Sequence, residues 1–258
     1  MKNLIFEKKN GIAYVTLNRP ESLNCFNFEM LSELGVLTEE LRHDREIRVV
    51  IFTGAGDKSF SSGADLKERR TLGEDDVRRN VLKIRTVFHE ISKLPQVTIA
   101  AVNGYAFGGG FELMLACDFR LAAGHAKMGL TETSWAIIPG AGGTQRLPRL
   151  IGEARAKELI LTARKIDAEQ AYKYGILTKT VPGPELMKEC EHLAQEILRN
   201  GPVAVEQAKY AISAGMETDL ESGLNIEAEA YEQTIPTYDR REALLAFSEK
   251  RTPEFMGK

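Results

Sequence analysis

Hydrophobic and polar positions follow two different periods along this chain. From Leu4 to Asn18, LIFEKKNGIAYVTLN reads as two strands folded about Asn10-Gly11, a pair that tolerates the left-handed backbone of a tight hairpin turn. RVVIFTG and VTIAAVN are short continuous apolar runs, the mark of buried strands, and CDFRLAA reads as another. Between them, FEMLSELGVLTEELRHD and DDVRRNVLKIRTVFHEISKL carry apolar residues at helical spacing. This alternation predicts an α/β core. After about Thr180 the strand pattern stops. ELMKECEHLAQEILRN, PVAVEQAKYAISAG, DLESGLNIEAEAYEQTI and YDRREALLAFSEK all read as helices, punctuated by Gly201-Pro202, Gly215 and Pro236. We place a boundary near residue 200, giving a core over 1–200 and a helical region over 201–258. Helices with no sheet of their own are expected to pack on the core or on a neighbouring subunit.

Composition narrows the function classes. The 258 residues are 43% hydrophobic and 28% charged with a formal net charge of −3, the balance of an ordinary enzyme and not of a dedicated nucleic-acid binder. Cys25, Cys117 and Cys190 form no C-x-x-C pair, so neither a disulfide framework nor a zinc site is expected. The four histidines, His43, His89, His125 and His192, lack ligand spacing, and no metal is expected. MKNLIFEKKNG carries no apolar leader and no stretch is long enough to span a bilayer, so the expectation is a cytoplasmic protein without a membrane partner.

The chemistry concentrates between Ala100 and Arg146. A strand ends near Asn103, the glycines of Gly104-Tyr105-Ala106-Phe107-Gly108-Gly109-Gly110 turn the chain, and an apolar helix begins with Glu112 in its first turns. Adjacent glycines opening a helix can aim unpaired N–H groups at a developing negative charge. Glu112 has few polar neighbours in sequence. It is either a helix-start carboxylate satisfied by the macrodipole or an acid/base group whose charge is disfavoured by an apolar pocket. A second cluster holds Glu132 in Gly129-Leu130-Thr131-Glu132-Thr133, followed by Pro139-Gly140-Ala141-Gly142-Gly143, which alone reads as an exposed turn. A third is the small-residue loop Ser59-Phe60-Ser61-Ser62-Gly63-Ala64-Asp65-Leu66-Lys67-Glu68, which can offer close backbone donors or serve as a plain connection. Dinucleotide, P-loop and G-x-S-x-G signatures are absent.

In combination, NRPESLN, F-S-S-G-A-D-L-K-E, A-V-N-G-Y-A-F-G-G-G-F-E-L, P-G-A-G-G-T-Q-R-L-P-R and A-F-S-E-K-R resemble the crotonase superfamily of enoyl-CoA hydratases and isomerases over essentially the whole chain. The resemblance implies a ClpP-like spiral of ββα turns with a C-terminal helical trimerisation region, assembled as a homotrimer or a dimer of trimers. It implies an oxyanion hole from the backbone N–H groups of Ala64 and Gly109, and Glu112 and Glu132 as the acid/base pair that adds water across a trans-2-enoyl-CoA thioester. Coenzyme A then belongs to the substrate and no separate cofactor is needed. Its contacts would come from the main chain over Ala64, Asp65 and Leu66, from Leu23 and Cys25 along the pantetheine path, and from Phe247 and Lys250 of a neighbouring subunit, with Lys67, Arg69 and Arg70 adding positive charge. Cys25 reads either as a thiol-sensitive position or as a small buried hydrophobe.

Within the family the phrases A-I-I-P-G-A-G-G-T-Q-R-L-P-R and Q-T-I-P-T are most similar to the methylglutaconyl-CoA hydratase subgroup. A methylglutaconyl chain has a distal carboxylate, for which Lys67 and Arg69 are the candidate cations. RNA binding, known in that subgroup through a lysine-rich helix, is not expected here, because the matching LSELGVLTEELRHDREIR holds more acids than bases. Double-bond isomerisation and acyl-CoA hydrolysis remain the alternative reactions on the same scaffold. Trp135 reads by default as core packing.

Overall fold

A computed structural model describes all 258 residues. Strands β1 (Leu4–Lys9) and β2 (Ile12–Leu17) form the expected hairpin, with Asn10 and Gly11 both at positive φ in the turn. The chain continues through α1 (Phe28–His43), β3 (Val49–Gly54), β4 (Ser59–Ser61), α2 (Leu66–Arg69), α3 (Glu74–Ser92), β5 (Val97–Val102), β6 (Tyr105–Phe107) and α4 (Gly109–Ala116). It then forms β7 (Phe119–Ala123), β8 (Lys127–Gly129), α5 (Gly143–Ile151), α6 (Glu153–Leu161), β9 (Ile166–Asp167), α7 (Ala168–Lys173) and β10 (Lys179–Val181). Four helices close it: α8 (Leu186–Leu198), α9 (Pro202–Gly215), α10 (Leu220–Glu232) and α11 (Tyr238–Glu249).

The strands divide between two sheets in a regular way. A six-stranded sheet has the order β1-β2-β3-β5-β7-β10, and a four-stranded sheet has the order β4-β6-β8-β9. Three successive strand pairs, β3 with β4, β5 with β6 and β7 with β8, each place the first strand in the large sheet and the second in the small one. The chain therefore advances as a spiral, one step along both sheets per turn. β3 and β5 are apolar and almost wholly buried, as strands covered on both faces must be. Phe52, Phe60, Phe88 and Phe111 lie at the centre of the core.

The small-sheet strands escape the sequence reading. β4, β6 and β8 are three residues each, too short for any period to show. β4 lies inside what reads as a loop, and β6 inside what reads as a glycine turn.

Two compact units result, one of residues 1–94 and 98–191, the other of 95–97 and 192–258. The division falls within α8 rather than at the Gly201-Pro202 break, since a helix can cross from one packing unit to the next without interrupting its hydrogen bonds. In the second unit α9 packs on α10 through Gly215 and Gly223, where an added Cβ on Gly215 would stand 3.5 Å from the facing Cα. Ile212, Met216, Leu220 and Phe247 stay at least two-thirds exposed. No helix is long and apolar enough to cross a membrane.

Candidate active site

Sheet topology explains why three distant sequence clusters meet. β4 pairs in parallel with β6, and β6 with β8, so the segments leaving their C-terminal ends emerge side by side at one sheet edge. These segments are Ser62-Gly63-Ala64, Gly108-Gly109 and Leu130-Thr131-Glu132. Gly108 N–H donates to the Gly129 carbonyl at 2.9 Å, tying the second segment to the third.

The first two segments approach so closely that glycine is obligatory. Gly63 has φ +94°, and a Cβ there would stand 2.8 Å from the Phe107 carbonyl oxygen and 3.1 Å from the Gly109 nitrogen. Gly108 has φ +50° and ψ −122°, a backbone that side chains rarely adopt. Ala64 forms an isolated parallel bridge with Phe26. Phe26 N–H donates to the Gly63 carbonyl at 2.8 Å, and Asp65 N–H donates to the Phe26 carbonyl at 2.9 Å. In a parallel bridge the central residue's own N–H points away from its partner. Ala64 N–H is thereby turned from Phe26, and Gly109 N–H, at the first position of α4, has no acceptor in its own helix. Both residues line a cavity of about 540 Å³.

Two glutamates line the same cavity. Glu112 is 3% exposed. Its Oε1 accepts N–H bonds from Ala141 and Gly143, each 2.8 Å long. Burial pushes its pKa up, opposed by those two donors and by the nearby Arg146 charge. The glycine run after Ile138 is thus more than an exposed turn. It is the hydrogen-bonding partner of Glu112, which is held by a neighbouring loop and not only by the dipole of its own helix. Arg146 fixes that loop by donating to the Ala141 carbonyl at 3.1 Å and to Ser92 Oγ at 3.2 Å.

Glu132 opens a short 3₁₀ helix, Glu132–Trp135. Its Oε2 is buried with no hydrogen-bond partner in the protein. Burial first, and the Glu112 charge second, push its pKa up to about 7, while Arg69 pulls the other way. A Cβ on Gly108 would lie 3.2 Å from Glu132 Oε1, which places this carboxylate directly against the turn that carries Gly109.

The remaining cavity wall is mostly apolar. Val77, Val81 and Ile84 of α3 contribute to it, as do Trp135, Ile137 and Ile138. Trp135 is 63% exposed and belongs to this wall, not to the core, because its 3₁₀ helix has no buried residue and carries the indole outward. Leu66 and Arg69 line the cavity, whereas Lys67 and Arg70 do not.

Other residues expected at the site have defined positions. Leu23 is partly exposed in a left-handed conformation, and its carbonyl accepts from Ser62 N–H at 3.0 Å. Cys25 is buried, and burial pushes its thiol up to about 11, so it is not a ready thiolate. Asp65 caps α2 through the N–H groups of Lys67 and Glu68 and pairs with Arg19 at 3.0 Å. Arg19 also donates to the Cys25 carbonyl at 2.9 Å, a tie that the NRPESLN motif does not reveal by itself. Phe247 and Lys250 lie in the second unit, Phe247 exposed on α11 and Lys250 in the left-handed cap that ends it. No three His, Cys, Asp or Glu side chains are grouped so as to hold a metal ion.

An alternating two-sheet spiral of this kind, with helices after each pair of strands, is the crotonase fold. The sequence model of the enoyl-CoA hydratase/isomerase family matches residues 7–258. YngF of Bacillus subtilis, which bears the name of an enoyl-CoA hydratase/isomerase, is 52% identical over 256 residues, covering 99% of this chain and 98% of that protein. The mitochondrial methylglutaconyl-CoA hydratase of Homo sapiens is 46% identical over 255 residues, covering 97% of this chain and 75% of the human one. The crystal structure of enoyl-CoA hydratase from Bacillus anthracis superposes with a TM-score of 0.98 at 50% identity, covering 99% of this chain and all of the other. The chain belongs to the enoyl-CoA hydratase/isomerase family.

Proposed function

We propose that this protein hydrates trans-2-enoyl-CoA thioesters. The observation that carries this reading is a single cavity lined by two unconnected backbone N–H donors, Ala64 and Gly109, and by two carboxylates with unlike surroundings, one buried and one partly buried. The thioester oxygen accepts from Ala64 and Gly109. Glu112, whose anionic form two N–H bonds support against the burial that raises its pKa, takes a proton from water as the water oxygen bonds to C3. The π electrons move to the thioester oxygen, and the enolate is stabilised by the two donors. Glu132, whose raised pKa of about 7 lets it carry a proton near neutral pH, delivers that proton to C2 as the carbonyl re-forms. Transfer of the proton on Glu112 back to Glu132 restores the starting state, so one water is added per turnover. Both groups work from one cavity, and syn addition is the expected stereochemistry.

Isomerisation and thioester hydrolysis would use the same oxyanion hole, and the presence of a matched base and acid favours hydration over both. Coenzyme A would run along the main chain of 64–66 and past Leu23 and Cys25. The exposed apolar side chains of α9–α11 support self-association into trimers, through which Phe247 and Lys250 of a neighbouring copy would reach the adenine end. A cytoplasmic location accords with this chemistry. The test follows loss of the conjugated-thioester absorbance of crotonyl-CoA and identifies the product by mass. A product heavier by one water is the expected result, and a rearranged isomer or free coenzyme A would overturn it.

A further inference from the structure

Along α3 the buried side chains are Asn80, Ile84, Val87, Phe88 and Ile91, one helical stripe with a single polar member. Asn80 is 8% exposed, and its Oδ1 has no hydrogen-bond partner in the protein. An amide oxygen left unpaired in the interior costs stability that a leucine at the same place would not. Beside it lies a second cavity of about 20 Å³, lined by Asn80, Asp65, Glu68 and Arg69 among others. That volume decides the occupant. One water needs about 10–15 Å³ of such space and two to four polar partners, and a much larger molecule does not fit. The lining supplies those partners, with Asn80 Oδ1 and the two carboxylates as acceptors and the Arg69 guanidinium as donor. A cation of similar size is opposed by the Arg69 charge.

Resting on the oxyanion role proposed for Ala64, we infer that Asn80 holds one enclosed water between α3 and α2 and thereby fixes the position of the Ala64 N–H. Ala64, Arg69 and Ile84 line both this cavity and the larger one that holds the two glutamates, so they form the wall between the two. Ala64 stands two residues before α2, and Asp65 between them caps that helix. The bonds that hold the cap and the helix run elsewhere. Asp65 accepts from Arg19 at 3.0 Å, and the Glu68 carboxylate accepts from Phe28 N–H at 3.1 Å. The water adds a tie to α3 from the opposite side, directly behind the donor. Asn80 touches no reacting atom and is a positioning residue. Its leverage comes from geometry, since misplacing a catalytic donor by about 1 Å costs on the order of two decades in rate.

The test joins crystallography to spectroscopy. A crystal structure of the wild-type protein should show one ordered water in the small cavity, and a dry cavity would overturn the inference. Difference infrared spectroscopy then follows the thioester carbonyl stretch of bound butanoyl-CoA, which has no double bond to hydrate. Binding to wild type should lower the stretch, because the two donors polarise the carbonyl. The lowering should shrink in Asn80→Leu and in Asn80→Ala, the second variant serving if leucine is not accommodated, and be largely kept in Asn80→Asp, which retains an acceptor oxygen. With crotonyl-CoA the first two variants should lose about one to two decades in kcat, with KM within about twofold of wild type. Equal stretches in wild type and Asn80→Leu, with a higher Tm in the variant, would reduce Asn80 to an unpaired polar group and overturn the inference. A lower kcat with an unchanged stretch would overturn it too, since the effect would not pass through Ala64. Wild type that lowers the stretch yet leaves crotonyl-CoA untouched would remove the hydratase reading, and the stretch in the variants would still decide the role of Asn80.

Discussion

Glu112 and Glu132 are the same residue type in one cavity, yet the chain treats them oppositely. Glu112 sits in a helix that is buried over its whole length, and one of its oxygens is clamped by two N–H groups of a loop that Arg146 holds in turn. Glu132 sits in a four-residue 3₁₀ helix with no buried residue, and one of its oxygens is enclosed without a partner. Burial raises both pKa values, but Glu112 is compensated by two N–H donors of a neighbouring loop, whereas the rise at Glu132 is opposed only by its own backbone N–H and the Arg69 charge. Two carboxylates that feel each other's charge cannot both ionise freely, and unequal hydrogen bonding is one means of separating them. On the proposed mechanism, acid and base would be assigned by the neighbours of each side chain.

Removing either member should have the largest effect. Glu112→Gln and Glu132→Gln should each lower kcat for crotonyl-CoA by roughly two to four decades, measured by absorbance under saturating substrate. Equal rates for either variant and wild type would remove that residue from the chemistry. Next comes the feature that both carboxylates face. An added side chain at Gly109 would meet Ile84 at 3.0 Å and Phe26 at 3.5 Å, displacing the N–H donor beside it. Gly109→Val should cost about two to three decades in kcat, the scale of one oxyanion donor, and circular dichroism should show the fold retained.

A subtler change makes the two sites more alike. Ala141→Pro deletes one of the two N–H donors to Glu112, and its carboxylate should then hold a proton to higher pH. The pH dependence of kcat/KM, whose apparent values belong to the coupled pair, should move its acidic limb upward, with about one decade lost at neutral pH. An unshifted limb would mean that the clamp does not set the protonation of Glu112.

The smallest effect concerns stability. Glu132 has its pKa raised from 4.5 to about 7, so its neutral form is favoured by folding. Its contribution is fully present below the unfolded value near 4.5 and is lost as pH rises through about 7. Glu132→Gln cannot ionise, so its Tm should exceed that of wild type by a few degrees at pH 8, with the gap closing toward pH 4. A gap that widened on acidification would contradict the assigned direction.

Much of this site was legible in the sequence because its residues are out of place there. A glutamate within an apolar helix and three glycines before it are costly unless something requires them, and Glu112 and Gly108 to Gly110 stood out for that reason. The hairpin at Asn10-Gly11 and the long helices α1 and α3 were legible through turn chemistry and period. What brings the clusters together was not. β4, β6 and β8 are too short to show a period, and the clamp on Glu112 comes from main-chain N–H groups, which every residue except proline possesses. Trp135 was misplaced for a related reason. A large apolar residue is normally buried, and only the surrounding 3₁₀ helix shows that this one walls a cavity.

The proposed oxyanion hole is made of main chain, and its two donors are carried by an alanine and a glycine. Point substitution cannot delete a peptide N–H except by proline, so the capacity to hold an activated thioester is insulated from most mutational drift. The carboxylates enjoy no such protection. Each can be lost or exchanged in a single step, leaving a protein that still folds and still polarises its ligand. A lineage built on this spiral can therefore explore new reactions by changing one side chain at a time without first surrendering the power to activate its substrate.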